Sequence, residues 1–369
     1  MLGNAAQRVC KVLKSKKLQT SLLALVGAIV VSGLILALSG YSPFVAYGAM
    51  FSGAFGGAAN IADTLGTATP LIFTGLAVAI AMKGGAVNIG AEGQLYMGAF
   101  AAALAGAYGK DLPMVLHIAL CLLAAFIAGG LWAVLAGGLK IKLGVSEVII
   151  TIMLNYIATY LTDYLTTYHF KAEGMVVKTE RVAESAMLPT LYPHSRLTVG
   201  FLIAILAAVI LVWVLRRTVF GYELQAVGLN PFAAESGGVK KGRQFLLTML
   251  ISGGLAGLAG ACEVLGVHGY FMKGFSPGYG FDGLAIAVLG QNNPLGVTLS
   301  AILYGALRSG ATMMDRMTKI PQDFVGIMQA LIIIFVATPG LVYFYRRKKK
   351  KTAAIHKGSE TAPATTEEV

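Results

Sequence analysis

Lys83-Gly84-Gly85-Ala86-Val87-Asn88-Ile89-Gly90-Ala91-Glu92-Gly93-Gln94 is a polar, glycine-rich stretch set between two long apolar blocks. Those blocks read as membrane-embedded, because a hydrocarbon core roughly 30 Å thick needs about 20 helical residues to cross it. Lipid cannot satisfy free backbone groups, so non-helical chain at that depth has to be shielded by protein or line a cavity. An all-α, polytopic transmembrane bundle with an interrupted third helix is therefore expected, and such an interruption points to passage of something across the membrane.

The composition agrees with that class. The chain is 56% hydrophobic and 12% charged, with a mean hydropathy of +0.73. A soluble domain carries about 25% charged residues. The 46 glycines suit a membrane bundle, where small residues let helix backbones approach closely. The net charge of +12 is grouped at Arg8 to Lys17, Lys140 and Lys142, Arg216 and Arg217, Lys240 to Arg243, and Arg346 to Lys351. Each group abuts an apolar span, the placement of cytoplasmic flanks, and this excludes a nucleic-acid-binding face. Cys10, Cys121 and Cys262 are too far apart for a metal pair or a disulfide framework, and Cys121 and Cys262 read as small packing residues. The apolar run from Leu18 to Leu38 is too long for a signal-peptide core and reads as a retained first helix.

About ten crossings fit the pattern: 19–39, 64–82, 85–108, 112–139, 146–168, 197–215, 244–266, 281–289, 295–313 and 323–345. Residues 40–60 and 169–196 fall outside on this trace. About two thirds of the 29 Lys and Arg residues then lie on one side, which places both termini in the cytoplasm. The organisation is a basic N-terminus (1–18), a permeating domain (19–345) with a cytoplasmic segment at 216–243, and a basic, then disordered tail (346–369). The eighth crossing is short and stops at Gln291-Asn292-Asn293-Pro294, so it either dips in and out or pairs with the ninth.

Two constellations stand out. Asn88, Gly90, Glu92 and Gln94 place polarity inside the membrane. Asn88 and Glu92 share a face if the helix has already begun there, and an intramembrane carboxylate faces a cavity or a partner. These residues either tie down loose backbone at the break or contact a substrate. Gly90, Gln94, Gly98, Ala102 and Gly106 recur every four residues, as Gly253, Gly257 and Ala261 do later, a pattern of close helix packing. Glu147 reads as an interfacial charge, Arg308 as a snorkelling one, and Glu263, Asp282 and His117 as polar links between helices. In the basic segment, Asn230 is a good N-cap and Pro231 a good first helical residue; Gly237 or Gly238 ends so short a helix. It is unstable alone and needs something to pack on, the bundle or a cytoplasmic partner. No phosphate-binding Gly-x-x-x-x-Gly-Lys-Ser/Thr loop, His-Glu-x-x-His, nucleophile elbow or Cys-x-x-Cys is present, so no catalytic function is expected.

Four stretches carry a resemblance: Asn88 to Gln94; Ala226-Val227-Gly228-x-Asn230 with Ala233-Ala234 and Gly238-Val239; Ser252-Gly253-Gly254-Leu255-Ala256-Gly257-Leu258-Ala259-Gly260; and Leu289-Gly290-Gln291-Asn292-Asn293-Pro294-Leu295-Gly296. From about residue 34 to 345 the chain resembles the permease subunits of bacterial ABC importers of the ribose and branched-chain amino acid type, above all the branch serving nucleosides such as guanosine. The resemblance implies that Gly228 to Gly238, with Asn230, Pro231, Ala233 and Ala234, is a coupling helix docking on a separate ABC ATPase subunit, which would hold the ATP and magnesium. It implies a second permease, identical or not, and an extracellular substrate-binding lipoprotein, in the plasma (inner) membrane of a bacterium. This chain itself would carry no cofactor. Gln225 departs from the pattern, since the family often has arginine there. The expected function is the translocation path for a nucleoside, lined by Asn88, Gly90, Glu92 and Gln94. A sugar or branched-chain amino acid permease of the same architecture is the alternative. An ion-coupled secondary transporter ranks below both, with Glu92 and Glu263 its only candidate coupling sites.

Overall fold

The computed structural model describes residues 16–109, 112–318, 320–321, 323–332 and 334. The chain forms helices α1 (Lys16–Leu38), α2 (Pro43–Phe55), α3 (Ala58–Lys83), α4 (Ala91–Tyr108), α5 (Met114–Leu143), α6 (Glu147–Tyr168), α7 (Val199–Arg217), α8 (Val219–Leu229), α9 (Pro231–Ser236), α10 (Lys241–Glu263), α11 (Tyr279–Leu289) and α12 (Pro294–Thr318), then α13 (Asp323–Ile332). Among the described residues the only β pairing is two isolated bridges, Lys178 with Met272 and Thr190 with Thr198. Five helices among the described residues are long and apolar enough to cross a membrane: Ala58–Lys83, Met114–Leu143, Glu147–Tyr168, Val199–Arg217 and Lys241–His268. The all-helical, polytopic expectation holds. The basic N-terminus to residue 15 and the tail from 335 lie outside the described residues.

The contacts divide the chain into two units, Phe44–Gln322 and a second made of Met1–Pro43 with Asp323–Val369. In the second unit the ring of Tyr41 meets that of Phe324 edge-on, with centroids 5.6 Å apart. The rest of the description concerns the first unit.

α3 is its centre. From Gly66 to Ala81 every residue of this helix is buried. α10, α11 and α12 pack around it, and α10 also packs on α4 and α5. Glycine makes this closeness available. A Cβ on Gly257 would run into the Ala125 carbonyl, one on Gly253 into the Gly129 carbonyl, and one on Gly98 into the backbone of Gly257. The four-residue glycine stripes of the sequence are thus helix-packing seams, with dispersion contacts replacing side chains.

Several expectations need correction. Residues 40–60, placed outside the spans, hold a helix that the sequence reading did not name: 43–55 form α2, which packs through Met50 and Gly53 against Gly310 of α12. The third crossing was expected from residue 85, but helix begins only at Ala91; residues 84–90 are non-helical. Asn88 and Glu92 therefore do not share a helix face. α10 does not stop at 266 as a regular helix. It loosens into a π turn at Val264–His268 and ends at Gly269, whose φ of 72° is left-handed. The eighth span is an 11-residue helix, α11, about 16 Å long. It turns through Gln291 and Asn292, both with φ of 54°, into α12, with Gly290 against Gly296 and Val297. That matches the pairing alternative: α11 and α12 form one broken unit. Arg308 does not snorkel; its guanidinium is 3.1 Å from Asp282, donates to the Pro277 carbonyl at 3.0 Å and lies over the Tyr279 ring.

Candidate functional site: a broken helix and a capped surface helix

Lys83, Lys140, Lys142, Arg216, Arg217, Lys240 and Lys241 mark one basic end of the bundle, at or next to the ends of α3, α5, α7 and α10. From Lys83 the chain turns at Gly84 and Gly85 and re-enters the bundle as non-helical backbone until α4 starts. The depth of the break follows from its contacts. Ser252 Oγ donates to the Ala77 carbonyl at 2.7 Å and accepts from Asn88 Nδ2 at 2.8 Å. Ala77 lies six residues, about 9 Å, along α3 from Lys83.

The side chains of this break are paired with one another and with nearby backbone. Asn88 and Gln94 exchange two amide hydrogen bonds, Asn88 Nδ2 to Gln94 Oε1 and Gln94 Nε2 to Asn88 Oδ1, each 2.9 Å. Asn88 Oδ1 also accepts from the Gly90 N–H. From α6, Asn155 accepts from the Gly93 N–H at 2.8 Å and donates to the Ile89 carbonyl at 2.9 Å. Glu92 Oε2 accepts from the Gly280 N–H at 2.6 Å, so it caps the first turn of α11. Asn88, Glu92 and Gln94 are all buried. Buried backbone without a partner costs about 1–3 kcal/mol per group, and Asn88 and Asn155 remove that cost for the Gly90 and Gly93 N–H groups and the Ile89 carbonyl. In this conformation the side chains tie down the break. Asn155 and Ser252, which complete the network, went unnoticed in the sequence because they come from residues 62 and 164 positions away; a lone Asn in an apolar span was their only signal.

The second constellation forms at the basic end. Thr218 closes α7 and opens α8: its hydroxyl donates to the Val214 carbonyl and accepts from the Gly221 N–H. Gln225 Nε2 reaches back to the Leu215 and Gly221 carbonyls at 2.8 and 3.0 Å, so this departure from the family pattern serves the corner itself. α8, not foreseen as a helix, then leads into α9. Asn230 Oδ1 accepts from Phe232 and Ala233 N–H at 3.0 and 3.1 Å, Pro231 is the first helical residue, and Gly238, with φ of 89°, follows the end. Ala233 is exposed and Phe232 is 72% exposed, while Ala234 is buried. Gly228 joins the two constellations. A Cβ there would strike the Lys83 carbonyl, and one on Gly85 would sit 3.1 Å from Gly228 Cα. Nearby, a cavity of about 460 Å³ is lined by residues including Gly85, Lys140, Gly228, Phe232 and Lys241. Lys140 bridges to Glu147 at 2.8 Å, the interfacial role expected of Glu147.

The opposite end is closed by residues 169–198 and 264–278. Thr179 and Phe271 exchange hydrogen bonds, and Leu188 N–H donates to Leu265. Phe271 and Phe275 pack on Tyr96, and Phe271 also on Phe100, with centroids 5.0–6.1 Å apart. Lys273 lies 3.3 Å from Asp163, and buried Glu263 3.4 Å from Arg196. His117 bonds Ser185 Oγ and the Ala105 carbonyl. Cys121 and Cys262 are buried and free. No group of three or more His, Cys, Asp or Glu side chains able to hold a metal occurs among the described residues.

Comparison with known proteins gives a consistent picture. Residues 60–337 match the family described as the permease component of the branched-chain amino acid transport system. The chain is 40% identical over 338 residues to the guanosine ABC transporter permease protein NupP of Bacillus subtilis, covering 90% of this chain and 97% of that protein. It is 34% identical over 351 residues to the nucleoside ABC transporter permease protein NupB of Lactococcus lactis, covering 92% and 96%. It is 33% identical over 356 residues to the glucose ABC transporter permease protein TsgB13 of Haloferax volcanii, covering 94% and 92%. No solved structure matches.

Proposed function

The chain belongs to the branched-chain amino acid transport system permease component family, and from that premise we propose that it forms the membrane path of an ATP-driven importer for a nucleoside. The observation that carries the substrate class is likeness along nearly the whole chain to permeases of guanosine and of nucleosides. The chain is an integral membrane transport subunit and not an enzyme; ATP and magnesium belong to a separate ATPase.

On this reading the basic end faces the cytoplasm, as the positive-inside rule requires, and both termini lie there. Gly228, Asn230, Pro231, Ala233, Ala234 and Gly238 build the element that meets the ATPase. The support is physical: α9 is six residues long, too short to persist alone, and it is capped at both ends with its Phe232 and Ala233 turned outward. Its motion reaches the bundle through Gly228, which touches the turn that begins the broken stretch. Asn88, Gly90, Glu92 and Gln94 shape the path by holding that stretch. An external binding lipoprotein delivers the substrate to the opposite end, and a second permease completes the pore in a bacterial plasma membrane. The reading of a sugar permease has one observation in its favour, the glucose relative.

Uptake of labelled guanosine and glucose by cells with and without the gene tests the assignment. The proposal expects guanosine uptake to depend on this chain. Loss of glucose uptake alone would replace the nucleoside with a sugar.

A further inference from the structure

α5, α6 and α7 are comparably exposed along the lengths that could span a membrane: 28%, 33% and 28% of their most apolar windows are buried. Their exposed faces differ in chemistry. α5 shows Val115, Leu120, Leu123, Ile127, Leu131 and Leu135, and α7 shows Leu202, Leu206, Val209 and Ile210, with Trp213 near its end. These are surfaces for lipid. α6 has the lowest mean hydropathy of the five candidate spans and, beside exposed Ile149, Met153 and Ile157, presents Tyr156, Tyr160, Tyr164 and Tyr168, each more than half exposed and four residues from the next.

Depth decides what these tyrosines are for. The Lys140–Glu147 ion pair fixes the basic end of α6. At 1.5 Å per residue, Tyr156 lies about 13 Å and Tyr160 about 19 Å from Glu147, the middle of a core roughly 30 Å thick. Tyr164 and Tyr168 lie about 25 and 31 Å away, where an interfacial aromatic belt accounts for them. The belt does not account for Tyr156 and Tyr160. The two residues are 59% and 69% exposed, and neither hydroxyl has a hydrogen-bond partner among the described residues. Facing hydrocarbon, each phenol would hold an unpaired O–H in a medium with no acceptor. Facing a wet path, the hydroxyl is solvated and the ring is free.

We propose that Tyr156 and Tyr160 line the translocation path and stack on the planar base of the nucleoside in transit. Aromatic rings accept every base face and need no fixed hydrogen-bond pattern, which suits a path more than a high-affinity pocket. The neighbouring residue Asn155 lies on the other face of α6 and holds both Gly93 and Ile89 of the broken stretch. Movement of that stretch therefore moves the tyrosines with it. The inference rests on the nucleoside reading above.

The test uses the complete transporter in cells. Tyr156→Ala and Tyr160→Ala should each lower guanosine uptake about tenfold at unchanged membrane level, the scale of one lost stack. The Phe variants should keep most of it, and Tyr168→Ala should match the parent. In a chain with Cys10, Cys121 and Cys262 replaced by alanine, Tyr156→Cys and Tyr160→Cys should react with a charged, water-soluble thiol reagent, and guanosine should slow the reaction. Parental uptake in both Ala variants overturns the inference. So do cysteines that react only with a lipid-soluble reagent, or with none, in a parent that imports guanosine: the face then meets lipid or a second permease. A parent that imports no nucleoside overturns the functional reading, and the base as occupant with it.

Discussion

At the scale of single residues, the account turns on side chains that replace missing helix hydrogen bonds. Glu92 matters through one oxygen. Glu92→Ala should leave the Gly280 N–H buried and unpaired, costing about 1–3 kcal/mol, whereas Glu92→Gln keeps an acceptor and should recover most of the loss. Thermal unfolding of the purified protein in detergent reads this as a fall of a few degrees for the Ala variant only. Asn155→Ala should cost as much or more, since it strands both Gly93 N–H and the Ile89 carbonyl. Gly228→Ala differs in kind. Its new methyl would meet the Lys83 backbone carbonyl, which cannot rotate away as a side chain can. Overpacking of this sort costs about 1–3 kcal/mol, and here it should also weaken ATP-linked uptake, because it pries α8 from the turn. The sequence displayed Asn88, Glu92 and Gln94 plainly, as polar residues in an apolar run. It concealed Asn155, Ser252 and Gly280, because their proximity is a property of helix packing and not of spacing along the chain.

At the scale of elements, α9 was legible and α8 and α2 were not. The Asn230-Pro231 cap and the closing glycines are local signals, so the helix can be placed within a residue from sequence. α8 owes its existence to a corner built by Thr218, Gly221 and Gln225 against α7, and α2 to a seam with α12; neither cause is local. The break before α4 was also legible as a break, though its helical restart at Ala91 was not, since Asn155 of α6, remote in sequence, holds the Ile89 carbonyl and the Gly93 N–H on either side of it. The exposure of α9 sharpens the test of its role. Ala233→Arg should leave folding intact, because the side chain points outward, and should abolish uptake and transport-linked ATP hydrolysis by obstructing docking. Ala234→Arg buries a charge and should lower the amount of folded protein instead. Equal uptake in Ala233→Arg and parent, at equal membrane level, would remove α9 from the coupling route.

At the scale of the molecule, three features combine: a buried central helix, a break held about 9 Å from its basic end, and a surface helix joined to that break by a glycine contact. On the proposed reading, the last of these is the contact through which a separate ATPase would act on the bundle. The most direct measurement is accumulation of labelled guanosine in proteoliposomes containing this chain with the proposed second permease, ATPase and binding lipoprotein. The account predicts accumulation that requires ATP, persists in the presence of a protonophore and disappears with Ala233→Arg. Accumulation without ATP that collapses when the ion gradient is dissipated would contradict it.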